Sequence, residues 1–160
     1  MIKKITTKDL QQAIDLITEV FREFIAADYS EQGRNTFESF LESKFEEVST
    51  GLESGHRKMW GHYKAGEIIG VIGIRDASHI SVLFVDEQHH RQGIARQMFG
   101  VVLDEIKRNA RLTQVTVNSS PYAVQAYERL GFVKADEWQE KNGIVYLPMV
   151  YAVSGTGKII

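Results

Sequence analysis

From Ile80 to Val85 the chain is a β-prone apolar run, Asp86 to Arg91 is polar, and Gln92-Gly93-Ile94-Ala95-Arg96 opens an amphipathic helix. This strand–loop–helix passage constrains the fold more than any other. Gly93 and Ala95 remove side-chain bulk where the helix begins, so an anion can approach the backbone. N–H groups of a first helical turn have no intrahelical partner. Together with the positive end of the helix dipole they form a phosphate site. A diphosphate-bearing ligand is the first inference. Two familiar phosphate motifs are missing. The dinucleotide pattern G-x-G-x-x-G is absent, and so is G-x-x-x-x-G-K-[ST]. Ser154-Gly155-Thr156-Gly157-Lys158 imitates half of the latter, but Ala152 stands at its first glycine and Ile159 at its Ser/Thr.

What remains, His90-Arg91-Gln92-Gly93-Ile94-Ala95, resembles motif A of the GNAT (GCN5-related) N-acetyltransferase superfamily, [QR]-x-x-G-x-[GA], entered from a strand ending in Val. His90 departs from the usual Gln or Arg, and Glu87 from a frequent Pro. The cradle is backbone and survives both changes. Downstream, Asn118-Ser119-Ser120-Pro121-Tyr122-Ala123-Val124-Gln125-Ala126-Tyr127-Glu128-Arg129-Leu130-Gly131-Phe132 resembles motif B, N-x-x-x-x-A-x-x-x-Y-x-x-x-G-F. Ser120 suits an N-cap, Pro121 a first helical position, and Gly131 the left-handed residue that ends a helix. Two motifs in the right order outweigh either alone; the resemblance covers Trp60 to Val150.

Length and periodicity agree. At 160 residues the chain is one domain with room for a sizeable core. Ile2 to Ile5 reads as an edge strand, and Thr6 to Asp9 as a capping box. The helix that follows carries Leu10, Ala13, Ile14, Ile17, Phe21, Phe24 and Ile25 on a 3.6-residue rhythm. A polar loop is expected over Asp28 to Arg34. Asn35 with Glu38 would then cap a second helix with Phe37, Phe40, Leu41, Phe45 and Val48 inward, ending in a loop from Ser49 to Gly55. Lys58–Tyr63, Glu67–Ile74 and Ile80–Val85, joined by tight turns, make an antiparallel meander. Leu112–Val117 can lie parallel to the last of these through the intervening helix. Phe132–Trp138 and Ile144–Val153 form a closing hairpin. This order is that of the superfamily. The resemblance implies an α/β GNAT fold: a mixed, mostly antiparallel sheet of six to seven strands flanked by four helices. It is expected over residues 1–153, with 154–160 as a flexible tail.

Charge and composition exclude other classes. A net charge of −2 leaves no basic footprint for nucleic acid. No apolar run reaches the length of a membrane helix or forms a signal-peptide core. With no cysteine there is no disulfide, thiolate metal site or thiol nucleophile, and His89-His90 lacks further ligands, so no metal is expected. A cytoplasmic location is the expectation.

The resemblance implies acetyl transfer from acetyl-coenzyme A, as co-substrate, to a primary amine of a small molecule or protein by direct attack; a homodimer is compatible with it. The pyrophosphate would rest on Arg91, Gln92, Gly93, Ile94, Ala95 and Arg96. The pantetheine would lie along Leu83, Phe84 and Val85, where a bulge splays the strand from its neighbour, with Asn118 and Ser120 also near it. Arg96 either adds charge near the phosphates or is a solvated helix residue. Tyr127 has the position of the general acid, although periodicity alone makes it a core aromatic. No general base is evident: His79 leads, because its ordinary pKa lies in the useful range, with Glu67, Asp28, Glu31 and a water chain as competitors. The first two helices and their loop would bind the acceptor, through Asp28, Tyr29 and Glu31. The alternative is a GNAT fold that holds acyl-coenzyme A as a sensor, or docks a partner, without turnover.

Overall fold

The computed structural model describes residues 1–153; the tail expected over 154–160 lies outside the described residues. Eight strands and four α-helices follow one another as β1 (Ile2–Lys4), α1 (Leu10–Val20), α2 (Glu31–Ser54), β2 (Arg57–Lys64), β3 (Glu67–Arg75), β4 (His79–Val85), α3 (Ile94–Lys107), β5 (Gln114–Ser119), α4 (Val124–Leu130), β6 (Val133–Lys134), β7 (Gln139–Lys141) and β8 (Ile144–Ala152). The sheet runs β1-β2-β3-β4-β5-β8-β6, with β7 paired to β8. Only β4 and β5 are parallel, joined through α3; every other pair is antiparallel. The expected mixed, mostly antiparallel GNAT sheet flanked by four helices is what forms, with eight strands rather than six to seven because the short β7 adds to β8.

Alternation along the strands builds two apolar layers. Trp60, Ile72, Ile80, Val115 and Val117 pack with Met98, Phe99, Val102 and Ile106 of α3 and with Tyr127 and Leu130 of α4. On the opposite face Met59, Ile68 and Val71 pack with Leu10, Ala13, Leu16, Ile17 and Val20 of α1, flanked by Phe37, Leu41, Phe45 and Val48 of α2. The meander turns are tight because Ala65, Gly66, Asp76, Ala77, Asn142 and Gly143 all take positive φ. Paired positive-φ residues match the twist of a two-residue hairpin.

Four local expectations need correction. Asp9 makes no side-chain cap; its carboxylate accepts from the Tyr63 hydroxyl at 3.0 Å, so the capping box does not form. The second helix starts at Glu31, capped by Ser30, whose Oγ accepts from the Gly33 N–H at 3.1 Å. The polar residues of its first turns face outward and left no apolar rhythm to read. The same helix runs on to Ser54 and ends at left-handed Gly55. Position 51 is glycine inside this helix because the Arg57 stem occupies the place of a Cβ there. Finally, Phe132–Trp138 contributes only Val133–Lys134 to the sheet, since Asp136 takes the Glu137 N–H and the Gln139 amide in a turn.

The β7–β8 turn docks on the start of α2. A Cβ on Gly33 would fall on the carbonyl oxygen of Gly143, and Thr36 Oγ1 donates to the Asn142 carbonyl at 2.8 Å. In an open helix, replacing glycine by alanine stabilises by about 1 kcal/mol. Gly100→Ala should behave that way, because nothing lies within 4 Å of its Cβ position. Gly33→Ala should reverse the sign and destabilise by about 1–3 kcal/mol, the cost of overpacking. Urea unfolding of the two variants checks both signs; equal effects would mean that the turn does not dock on α2.

Candidate active site

The site begins with a break in the sheet. Gly73 pairs with Val82 but Ile74 with Ile80, so Ser81 is an extra residue, a bulge that bends its strand and increases the twist. The neighbouring strands β4 and β5 pair only at His79 with Thr116 and Ile80 with Val117. Beyond that point they diverge. The Asp86 N–H bonds to the Ile69 carbonyl on the β3 side, so alternation turns the N–H and C=O groups of Leu83 and Val85 toward the opening. Those of Phe84 face β3, which narrows the expected pantetheine edge to its two neighbours. On the other lip the Thr116 N–H bonds to the Ser78 carbonyl, and the same alternation turns the backbone of Asn118 into the opening.

The cleft leads to the start of α3. Arg91 and Gly93 both have positive φ, +63° and +78°. Gln97 is the first N–H of the helix to be answered, by the Gly93 carbonyl at 3.0 Å, so those of Ile94, Ala95 and Arg96 precede the ladder. No side chain caps this end, and a Cβ on Gly93 would meet nothing within 4 Å. An uncapped, unobstructed helix start fits a diphosphate. The charge of Arg96 is engaged elsewhere: its guanidinium donates to the Arg129 carbonyl at 2.7 Å, tying α3 to α4. Gln92 Nε2 donates back to the Gln88 carbonyl at 3.4 Å.

Tyr127 belongs to the core, with its ring edge-on to Phe132, 5.4 Å between centroids. Burial alone pushes its phenol well above the ordinary tyrosine value. Its hydroxyl has no hydrogen bond among the described residues. Ser120 opens the turn at Pro121–Ala123 without a side-chain cap, while Ser119, 1% exposed, donates to the Ser120 carbonyl at 2.8 Å.

His79 stands where the two strands still pair, its Nδ1 2.8 Å from Thr116 Oγ1. Burial, then the charge of Arg75, lower its pKa, opposed by Asp76. Of the acceptor candidates, Tyr29 is 7% exposed and packs edge-on against Phe21, and burial raises its phenol. Asp28 and Glu31 are exposed, and Glu31 borders an open groove with Gln32, Asn35, Thr36 and Ser39. Glu67 is exposed at the far end of β3, beside the β2–β3 turn.

The mouth holds residues that periodicity does not place there. After α1 the helix widens over Phe21–Ile25, where the Ala26 N–H reaches back to the Phe21 carbonyl. Such π-turns shift the helical phase. This one brings Phe24 between the lips, 5.5 Å from the His90 ring and stacked on Tyr122 at 5.4 Å. Glu23 beside it is raised above the usual carboxylate range, chiefly by its hydrogen bond to Glu87. Periodicity marks Phe24 only as a core residue and Glu23 not at all, because their partners at the mouth lie more than sixty residues away.

Residues 25–153 match the model of the acetyltransferase (GNAT) domain, and the chain belongs to that family, whose co-substrate is acetyl-coenzyme A. No curated protein matches it. Solved structures share the fold at low identity. A GCN5-related N-acetyltransferase from Rhodopseudomonas palustris, also described as a class II aminotransferase, is 15% identical with a TM-score of 0.77, covering 95% of this chain and 94% of that one. PaiA N-acetyltransferase from Thermoplasma acidophilum, in complex with coenzyme A, is 16% identical with a TM-score of 0.77, covering 95% and 98%. An aminoglycoside 6′-N-acetyltransferase complexed with coenzyme A is 12% identical with a TM-score of 0.68, covering 96% and 97%.

Because burial penalises the imidazolium, His79 should keep its neutral form to lower pH than an exposed histidine does. An NMR titration of the five histidines should give His79 a midpoint below the ordinary value near ~6.5. A midpoint at or above that value would mean that the ring is solvated and its Thr116 contact is not kept.

Proposed function

We propose that this chain is an N-acetyltransferase that moves an acetyl group from acetyl-coenzyme A to a primary amine of a small molecule or protein. The observation that carries the reading is the splayed β4/β5 pair opening onto the uncapped start of α3. Residues 1–153 would act as one acetyltransferase unit. No described helix is long and apolar enough to cross a membrane, which is compatible with the cytoplasmic location expected from the sequence. One of the solved relatives named above, the aminoglycoside 6′-N-acetyltransferase, lends support to a small-molecule amine as acceptor.

In this reading the N–H groups of Arg91, Gln92, Gly93, Ile94, Ala95 and Arg96 hold the pyrophosphate. The open backbone of Leu83, Val85 and Asn118 holds the pantetheine, with Phe84 behind it and Ser120 beside it. When bound, acetyl-coenzyme A supplies an activated thioester. The acceptor nitrogen forms a bond to the acetyl carbon as the carbon–sulfur bond breaks; the ammonium proton goes to a base and the sulfur receives one. An N–H of the β4 edge facing the thioester oxygen would steady the charge that develops there. Tyr127 is protonated throughout the working range, because burial raises it. A thiol titrates near ~8.5, so Tyr127 would act chiefly by donating a hydrogen bond to the departing sulfur, with solvent completing the protonation. His79 is the assigned base: with Nδ1 on Thr116, its Nε2 is left to accept a proton. Asp28, Tyr29 and Glu31 are assigned to the acceptor side.

One experiment tests the reading. Thiol release over a panel of amines should detect turnover by the wild-type protein, with calorimetric binding of acetyl-coenzyme A. Gly93→Glu should abolish that binding, since its side chain would lie at the phosphate site. Tyr127→Phe should lower turnover about 10-fold or more, the range a positioned acid contributes, with binding little changed. Binding without release for any amine would favour the acyl-coenzyme A sensor, and no binding at all would sink both.

A further inference from the structure

His90 is the residue at which this chain leaves the family motif, and its imidazole is not idle. Nε2 lies 2.8 Å from the Val85 carbonyl oxygen. That carbonyl ends β4 and points into the cleft, away from β3, so no sheet partner competes for it. A carbonyl can only accept, so His90 must carry its proton on Nε2. The bond spans the turn Glu87–His89 and closes the loop between strand end and helix start. On one side of His90 follow Arg91 and Gly93, the two left-handed residues that shape the phosphate cradle. On the other, its ring meets Phe24 at 5.5 Å, and Phe24 stacks on Tyr122 across the opening.

The structure assigns His90 as a positioning residue that sets the register between the phosphate cradle and the pantetheine edge. This role of His90 rests on the acetyl-coenzyme A reading above and adds a mechanism to it. A ligand that spans both parts gains from their fixed separation, as a tethered pair of binding groups gains from a linker of the right span. A ligand that touches only the edge does not. Arg91 shows why the loop needs such a tie. A non-glycine residue at φ +63° is held in a sparsely populated conformation, which persists only when its surroundings over-determine it. The Val85 bond and the Phe24 contact supply that constraint on its N-terminal side.

The test compares a full-length ligand with a truncated one on the whole protein. Coenzyme A spans cradle and edge; pantetheine reaches only the edge. For His90→Ala, calorimetry should show coenzyme A weakened about 5-fold, the scale of one lost hydrogen bond, and pantetheine unchanged within about 2-fold, below that scale. His90→Gln, whose amide can donate to the same carbonyl, should recover most of the coenzyme A affinity. In the unliganded wild type, NMR should find a slowly exchanging Nε2–H on His90, lost when Phe24→Ala loosens the ring. Equal weakening of both ligands, or of neither, would overturn the assignment, as would a His90 protonated on Nδ1 alone. If wild type binds neither ligand, the acetyl-coenzyme A reading itself fails, and that outcome is distinct from the others.

Discussion

The structure depends on a ladder that stops. After two residue pairs, β4 and β5 part, and the backbone groups of Leu83, Val85 and Asn118 are left without sheet partners. A polar group left unanswered once water is shut out costs about 1–3 kcal/mol. The opening must therefore hold water or a ligand rich in amides. A single extra residue, Ser81, is enough to start the divergence, and the two apolar layers keep it from closing. Leu83 and Val85 pack toward the α3 layer and Val82 and Phe84 toward the α1 layer, so the strand is anchored on both faces while one edge stays free.

The chemistry that follows is mostly backbone chemistry. The proposed phosphate site is a helix start with no cap and no obstructing side chain. The proposed pantetheine site is a strand edge, whose N–H and C=O groups are indifferent to the side chains they carry. This explains how solved structures only 12–16% identical can share the fold and, in two cases, hold coenzyme A. Side chains enter where geometry must be held. Arg96 ties α3 to the end of α4, and His90 ties the loop to the end of β4.

Residues whose type is dictated by a local conformation were legible in the sequence. Gly93 and Gly131 take the left-handed conformations that their positions require, and Tyr127 is the core aromatic its periodicity suggests as well as a motif residue. Segments ruled by tertiary contact were not legible. The start of α2 hides in exposed polar residues, and Gly51 imitates a loop because Arg57 fills the space beside it. Phe132–Trp138 has the apolar content of a strand, yet its pairing with β8 ends at Ala135, whose N–H bonds to the Pro148 carbonyl. At the site, the cradle and the splayed edge could be anticipated. The mouth could not, because Phe24 reaches it through a π-turn and Glu23 meets Glu87 across the fold. No periodic pattern encodes either event.

Amide hydrogen exchange, read residue by residue with and without coenzyme A, addresses the central claim most directly. The open edge and the uncapped helix start should exchange fast in the free protein, for want of partners. Saturating coenzyme A should slow Leu83, Val85 and the amides from Ile94 to Arg96, while the paired residues of β2 and β3 stay as they were. Protection confined to other parts of the molecule, with those five amides unchanged, would contradict the account.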